Sequence, residues 1–463
     1  MGCKVSFAVR LRPLGWLRYA IQQLKNVGSS RTVEGTTAVI TTIITFIIVF
    51  GILVIVHEFG HFYFAKRGGI LVREFSIGMG PKLFYRRGKD GTTYTLRLLP
   101  VGGYVRMAGA EDDEDEIKPG TPVSLYLGKD DQVERINASK KSTLFNGIPV
   151  EITGSDLEDE LWIEGYENGD ESEVKRYPVA HNATIIETDG TELQIAPKDV
   201  QFQAASLGRR LMTNFAGPMN NIILAIVTFM LMSLVQGGVA MGTNQVQVAS
   251  APVSIAKKAG IQNNDKILSV NGKQTKDWTA LSTAIQPRAN KATKVVIQRG
   301  STKKILTLTP KGEQSNGKTV GMIGITQAQN KHIGPILASG FTQTWTMTKA
   351  LFGALWSMVS GHFSLNDLGG PVAIFATTSQ ATKFGLVGVL NFLAFLSINL
   401  AIVNLIPIPA LDGGKILLNF IEAIRRKPLS ENVEAGITLV GVGFLVILML
   451  LVTWNDIERY FIH

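Results

Sequence analysis

Four stretches of this chain carry no charge, and each is long enough for a helix to cross a lipid hydrocarbon core, ~20 residues. They run from Thr36 to Val56, Leu211 to Ala256, Phe384 to Leu411 and Ala435 to Asn455. The first includes Ile43-Ile44 and the run Ile52–Val56; the second has its apolar heart at Ile222–Leu234. A soluble core could bury one such helix, but four make a membrane protein. Only 18% of the 463 residues are charged, against roughly 25% in soluble domains. The net charge of +9 therefore reads as basic loops flanking membrane spans, and no nucleic-acid partner is expected. The single cysteine, Cys3, excludes an intramolecular disulfide and a cysteine metal cage.

The charge pattern predicts transmembrane helices at 36–64, 213–236, 388–411 and 435–455. Lys66, Arg67, Arg73 and Lys82 follow the first span, Lys198, Arg209 and Arg210 precede the second, and Lys415, Arg425, Arg426 and Lys427 separate the third from the fourth. Basic residues stay in the cytoplasm. The first and third connecting loops are therefore expected inside, and the second loop and C-terminus outside. A basic tail over 1–35, with Lys4, Arg10, Arg12, Arg18, Lys25 and Arg31, opposes that orientation.

Between the spans the texture changes. Residues 70–107 alternate (Leu71, Arg73, Phe75, Ile77, then Tyr94, Leu96, Leu98) around an Asp90-Gly91 turn. This predicts a β-hairpin or small sheet. An acidic run, Glu111–Glu116, reads as a solvated loop and opens an acidic, β-rich cytoplasmic module over 108–205. In the external loop, Ala259-Gly260-Ile261, Asp265 and the turn Asn271-Gly272 resemble a PDZ domain over 245–313, a fold that takes peptide ends by strand addition. Phe341, Trp345, Thr348, Phe352, Leu355 and Val359 recur at steps of three and four, which predicts an amphipathic interfacial helix over 333–361.

The chemistry starts at His57-Glu58-Phe59-Gly60-His61. On a helix, residues four apart share a face, so both imidazoles can hold one Zn²⁺ with Glu58 beside them as general base. Ionisable groups ending an apolar span are costly and read as functional. A catalytic zinc wants three protein ligands. The remaining histidines, His181, His332, His362 and His463, stand in no span. Asp412 ends the third span, which runs in the same direction as the first, so His57, His61 and Asp412 share one depth near the cytoplasm. Pro407 and Pro409 break that span, and irregular backbone at membrane depth belongs where it is buried in protein or lines a polar cavity. Asn404 would face the same cavity. The second span opens with Asn214, Gly217, Asn220 and Asn221. Gly217 permits close packing on the metal helix, and the asparagines read equally as cavity lining or helix caps.

Together HEFGH at 57–61, Gly78-Met79-Gly80, LPVGGY at 99–104, FAGPMNN at 215–221 and NLIPIPALDGG at 404–414 resemble the site-2 proteases. These are bacterial intramembrane zinc metalloproteases, here of the regulator of sigma-E protease type in its one-PDZ, Gram-positive-like branch. The resemblance covers about 36 to 455; the longer N-terminal tail departs from it. It implies a multi-pass α-helical membrane protein with four transmembrane helices, membrane-associated β-strands, a cytoplasmic β-rich module and an extracytoplasmic PDZ domain. It implies zinc on His57, His61 and Asp412, and Glu58 as base. It implies that Asn404, Pro407, Gly78, Gly80, Gly102 and Gly103 face an unwound substrate. The expected partners are the lipid bilayer and single-span transmembrane proteins, such as anti-sigma factors or signal-peptide remnants. The alternatives are a membrane-anchored zinc protease with an external site, which lacks a further helical ligand here, and a non-enzymatic PDZ receptor or metal transporter, whose polar residues would not cluster at one depth.

Overall fold

A computed structural model describes residues 29–109, 117–139, 147–186, 190–249, 254–315, 318–361, 364–427 and 429–462. The basic tail up to residue 28 and the acidic run Glu111–Glu116 lie outside them. The principal helices are α1 Ser29–Arg67, α2 Leu207–Val235, α3 Trp278–Ile285, α4 Ile333–Val359, α5 Pro371–Lys383, α6 Gly385–Asn404, α7 Asp412–Arg425 and α8 Glu431–Ile457. Among the described residues, α1, α2, α6 and α8 are long and apolar enough to cross a membrane. Ile43, Ile44, Ile47 and Ile48 of α1 remain exposed, as side chains facing lipid do. Their β-branched character is tolerated because a helix in hydrocarbon must satisfy its backbone internally. The chain divides into two compact units, 226–346 and the remainder.

Two features of the third span differ from expectation. The helix stops at Asn404, not at 411, and Asp412 opens the next helix, α7. Pro407 and Pro409 cannot donate to carbonyls of the preceding turn, and Ala410 adopts φ 78°. The chain then doubles back tightly. A Cβ on Gly413 would lie 2.4 Å from the Leu405 carbonyl oxygen, and one on Gly414 2.3 Å from that of Ile408. Only glycine fits at either position. The second difference is α5, for which the uncharged stretches gave no sign. It starts at Pro371, the favoured place for proline in a helix, and buried Asp456 of α8 accepts a bond from Ala373 N at 2.9 Å. It packs through Ala381 against Val49 and Leu53 of α1 and Phe392, Leu393 and Leu396 of α6.

Between α1 and α2 lie strands β1 Val72–Arg87 and β2 Thr93–Met107. Their register makes each of them two strands. Ser76 stands between Tyr104 and Thr95, and Thr95 stands between Ser76 and Tyr85. The lateral order is thus 103–107, 72–77, 93–97, 82–87, with 103–107 at one edge. The bends fall at Gly78, Gly80 and Gly102, all at positive φ; a Cβ on Gly78 would lie 2.5 Å from the Leu99 oxygen. Buried Glu74 ties three of the segments together. It accepts Arg97 Nη2 at 3.0 Å and the Tyr104 hydroxyl at 2.9 Å, while Arg97 Nη1 reaches the Gly80 oxygen at 2.9 Å.

The following module contains strands β3 Pro122–Leu127, β4 Val133–Asn137, β5 Ile148–Asp156, β6 Trp162–Glu167, β7 Val174–Ile186 and β8 Glu192–Gln194. They lie in the order β4-β3-β5-β6-β7-β8, and β4 also pairs with β7. Five strands therefore close into a ring around Leu125, Ile136, Ile152 and Ile163, with β8 added outside. β8 fastens the ring to the first sheet: Thr93 Oγ1 donates to the Glu192 oxygen at 2.8 Å and Arg73 Nε to the Gln194 oxygen at 2.9 Å.

In the 226–346 unit, the segments Lys273–Gln274, Lys266–Val270, Thr293–Arg299 and Thr302–Leu308 form one sheet in that order. Asn271 and Gly272 turn the first pair with φ of 48° and 79°, as a type I′ turn requires. α3 packs its buried Leu281 and Ile285 into the core with Ile267, Val295 and Ile297. Burial pushes the Asp265 carboxylate up, but two bonds from Arg299 and one from Gln262 N hold it below the ordinary aspartate range.

Thr93 is fully buried. Thr93→Val keeps its shape but leaves the Glu192 carbonyl without that donor, a cost of about 1–3 kcal/mol. Thermal unfolding should shift accordingly, and limited proteolysis should release the 117–199 ring faster. Wild-type stability and protection would mean that this bond does not fasten the module.

Candidate metal centre

The centre is built where α1 crosses α2. The crossing is close because both helices place glycine there. A Cβ on Gly60 would lie 2.4 Å from the Ala216 oxygen, and a Cβ on Gly217 would lie 2.3 Å from His61 Nε2 and 2.7 Å from His57 Cε1. Asn220 Nδ2 donates to the Val56 oxygen at 3.1 Å, just before His57. On α1, His57 and His61 share a face at i and i+4, and both are buried. On α2, Thr213, Gly217 and Asn221 share a face at the same spacing. The Thr213 oxygen lies 2.8 Å from His61 Nδ1, and the Asn221 amide lies 3.2 Å from His57 Nδ1. Because a carbonyl only accepts, Nδ1 of His61 carries the proton and its Nε2 lone pair faces inward.

Asp412 enters from α7. Its Oδ2 is 3.2 Å from His57 Nε2 and 3.5 Å from His61 Nε2, and the two Nε2 atoms are 3.2 Å apart. Oδ2 is buried without a hydrogen-bond partner among the described residues. The three ligand atoms lie within 4.8 Å of one another, a geometry suited to holding a cation. Two imidazoles and a carboxylate are a donor set that suits catalytic zinc. α7 is held on α2 by Arg210 Nη1 to Glu422 Oε2 at 2.8 Å, and Glu422 Oε1 accepts Leu429 N at 3.0 Å.

A cavity of about 260 Å³ opens beside His57 and Asp412, which line it together with Val54, Glu58, Gly102, Gly103, Leu400, Asn404, Ala410 and Leu411. Glu58 thus stands next to the cation position. A Cβ on Gly103 would lie 3.4 Å from Glu58 Cγ, so the 103–107 sheet edge reaches Glu58. Asn404 Nδ2 is 3.4 Å from His57 Nε2. Of the substrate-facing candidates, Asn404, Gly102 and Gly103 line the cavity; Pro407, Gly78 and Gly80 do not. Gly78 and Gly80 serve the bend of the sheet, and Pro407 the turn before α7. Asn214, Asn220 and Asn221 lie inside α2, which starts at Leu207, so none of them caps it. The Thr213 carbonyl left no sequence signal, since every residue carries one.

A paired-histidine and aspartate centre with an adjacent carboxylate, set among membrane-length helices, defines a membrane-embedded metallohydrolase. The model of peptidase family M50 matches residues 45–448, and the chain belongs to that family, the zinc-dependent site-2 proteases. "Probable protease eep" of Enterococcus faecalis is 53% identical over 422 residues, covering 91% of this chain and 99% of that one. Proteins named "Putative zinc metalloprotease" are 51% identical in Streptococcus pyogenes serotype M1 and 48% identical in Streptococcus pneumoniae serotype 4. Each alignment spans 425 residues, 90% of this chain and 99% of the relative.

Gly217→Ala should displace the imidazoles and lower zinc content well below one per chain, with activity falling in parallel. Gly208→Ala on the same helix, where a Cβ meets nothing within 4 Å, should bind zinc like wild type. Equal zinc in both variants would show that the crossing tolerates a methyl group.

Proposed function

We propose that this zinc metalloendopeptidase hydrolyses peptide bonds within or beside the transmembrane segments of single-span proteins. One observation carries the reading: two of the metal ligands, His57 and Asp412, line one cavity with Glu58 and the glycine edge of the sheet, set among membrane-length helices. A protease acting on soluble chains has no need of a site there, where ionisable groups are expensive.

His57, His61 and Asp412 would hold the zinc, which would supply Lewis acidity toward the scissile carbonyl and a nucleophilic water near neutral pH. Glu58 takes the proton from the attacking water and delivers it to the leaving amine. The Asn404 side-chain amide, beside His57, donates to the oxygen on which charge develops. A helical substrate hides its carbonyls in its own hydrogen bonds, so it must unwind before attack. The 103–107 edge, reaching Glu58 at Gly103, offers extended backbone to which the unwound segment adds as a strand.

Lys and Arg flanking α1, α2 and α7 support a site near the cytoplasmic face. The strand order and the Asn271-Gly272 turn support a PDZ domain over 245–313, which the same charge pattern puts outside. There it would act on access, admitting substrates already trimmed to a free peptide end, such as anti-sigma factors or signal-peptide remnants.

The test is proteoliposome cleavage of a single-span substrate, with product ends located by mass spectrometry and zinc measured in the same preparations. Wild type should bind one zinc and cut inside or beside the membrane segment. Glu58→Gln should keep zinc and retain under about a tenth of the turnover, and Asp412→Ala should lose both. Product ends confined to external loops, or stoichiometric zinc in Asp412→Ala, would overturn the reading.

A further inference from the structure

We propose that Asn221 is the positioning residue for the first metal ligand: its side-chain oxygen holds the proton of His57 on Nδ1 and so keeps the Nε2 lone pair aimed at the cation. This rests on the zinc reading of the site and adds a residue to it. His57 Nε2 faces Asp412 and His61, so to bind a metal it must be unprotonated, and the proton must sit on Nδ1. The atom facing Nδ1 at 3.2 Å is Asn221 Nδ2, itself a donor. Two N–H groups cannot bond each other. Asn221 Oδ1, meanwhile, is buried with no hydrogen-bond partner among the described residues. The two ends of a carboxamide have nearly the same shape. Turning the amide half a revolution places Oδ1 against Nδ1–H, removing the donor–donor contact and giving the buried oxygen its donor.

Asn221 is held for this task. It is fully buried on α2, and its own backbone oxygen accepts the hydroxyl of buried Ser397 of α6 at 2.7 Å. One residue thus touches the ligand helix α1 through its side chain and the Asn404-bearing helix α6 through its carbonyl. The arrangement repeats that of His61, whose Nδ1 meets the Thr213 oxygen two turns earlier on the same face. His61 draws on a backbone acceptor that substitution cannot remove; His57 depends on a side chain that can be changed.

The experiment uses the full-length protein in detergent and measures zinc affinity by competition with a chromophoric chelator at neutral pH. Wild type and Asp412→Ala are run alongside, and thermal unfolding in excess chelator reports the fold without zinc. Asn221→Leu keeps the volume and removes the acceptor; its affinity should fall by at least tenfold, the scale of loss when a ligand's hydrogen-bond partner is removed. Asn221→Asp restores an acceptor and lacks the amide donor; it should bind zinc within tenfold of wild type, or more tightly. A smaller loss in Asn221→Leu, or a loss beyond tenfold in Asn221→Asp, overturns the assignment. If Asn221→Leu does not fold, Asn221→Asp decides by the same limit. Failure of wild type itself to bind zinc would refute the metal reading instead, so the two failures are distinguishable.

Discussion

The close contact of two glycines, Gly60 on α1 and Gly217 on α2, is the constraint on which the rest of the centre depends. With a methyl group on either, the backbones would have to part, since the built Cβ atoms fall 2.3–2.4 Å from heavy atoms of the other helix. In a bilayer, small residues bring helices together by letting backbones pack. Here the same approach puts the Thr213 carbonyl within hydrogen-bond reach of His61 and the Asn221 side-chain amide within reach of His57. The two histidines are thus seated against a helix that contributes no side chain to the cluster.

The second constraint is the turn at 405–411. Two prolines end α6, and two glycines let α7 restart against the carbonyls it has just left. This moves Asp412 from the end of a spanning helix to the start of a short one. α7 is fixed by the Arg210–Glu422 pair to α2. The three ligands therefore come from two helices, α1 and α7, that meet on α2 as a common support.

Much of this was legible in the residues. The HEFGH spacing brings His57, Glu58 and His61 together on α1, and the shared direction of two spans brings Asp412 to the same place, as the cluster shows. Gly217 was readable as a packing position, though not as one facing imidazole. What escaped did so for physical reasons. α5 is thirteen residues long and carries threonines and a lysine, so no apolar run marks it. The break at Pro407 was plain, but where the helix resumes depends on carbonyl contacts that sequence does not display. The lateral order of the sheet segments was hidden because glycines mark where a strand bends and not which neighbour it then meets. The partner of His61 is a main-chain oxygen, which no residue type signals.

The ligand set is scattered along the chain, and that has a consequence for how the enzyme is made. About 350 residues separate His61 from Asp412, and at roughly 5–20 residues per second a ribosome needs on the order of 20–70 s to travel between them. Until α7 is made, the chain carries His57 and His61 on α1 but lacks Asp412. Two imidazoles fall short of the three protein ligands that a catalytic zinc wants, so the ligand set stays incomplete for most of synthesis. The ligand set is completed only with α7, late in synthesis, so the centre cannot assemble until most of the chain has been made.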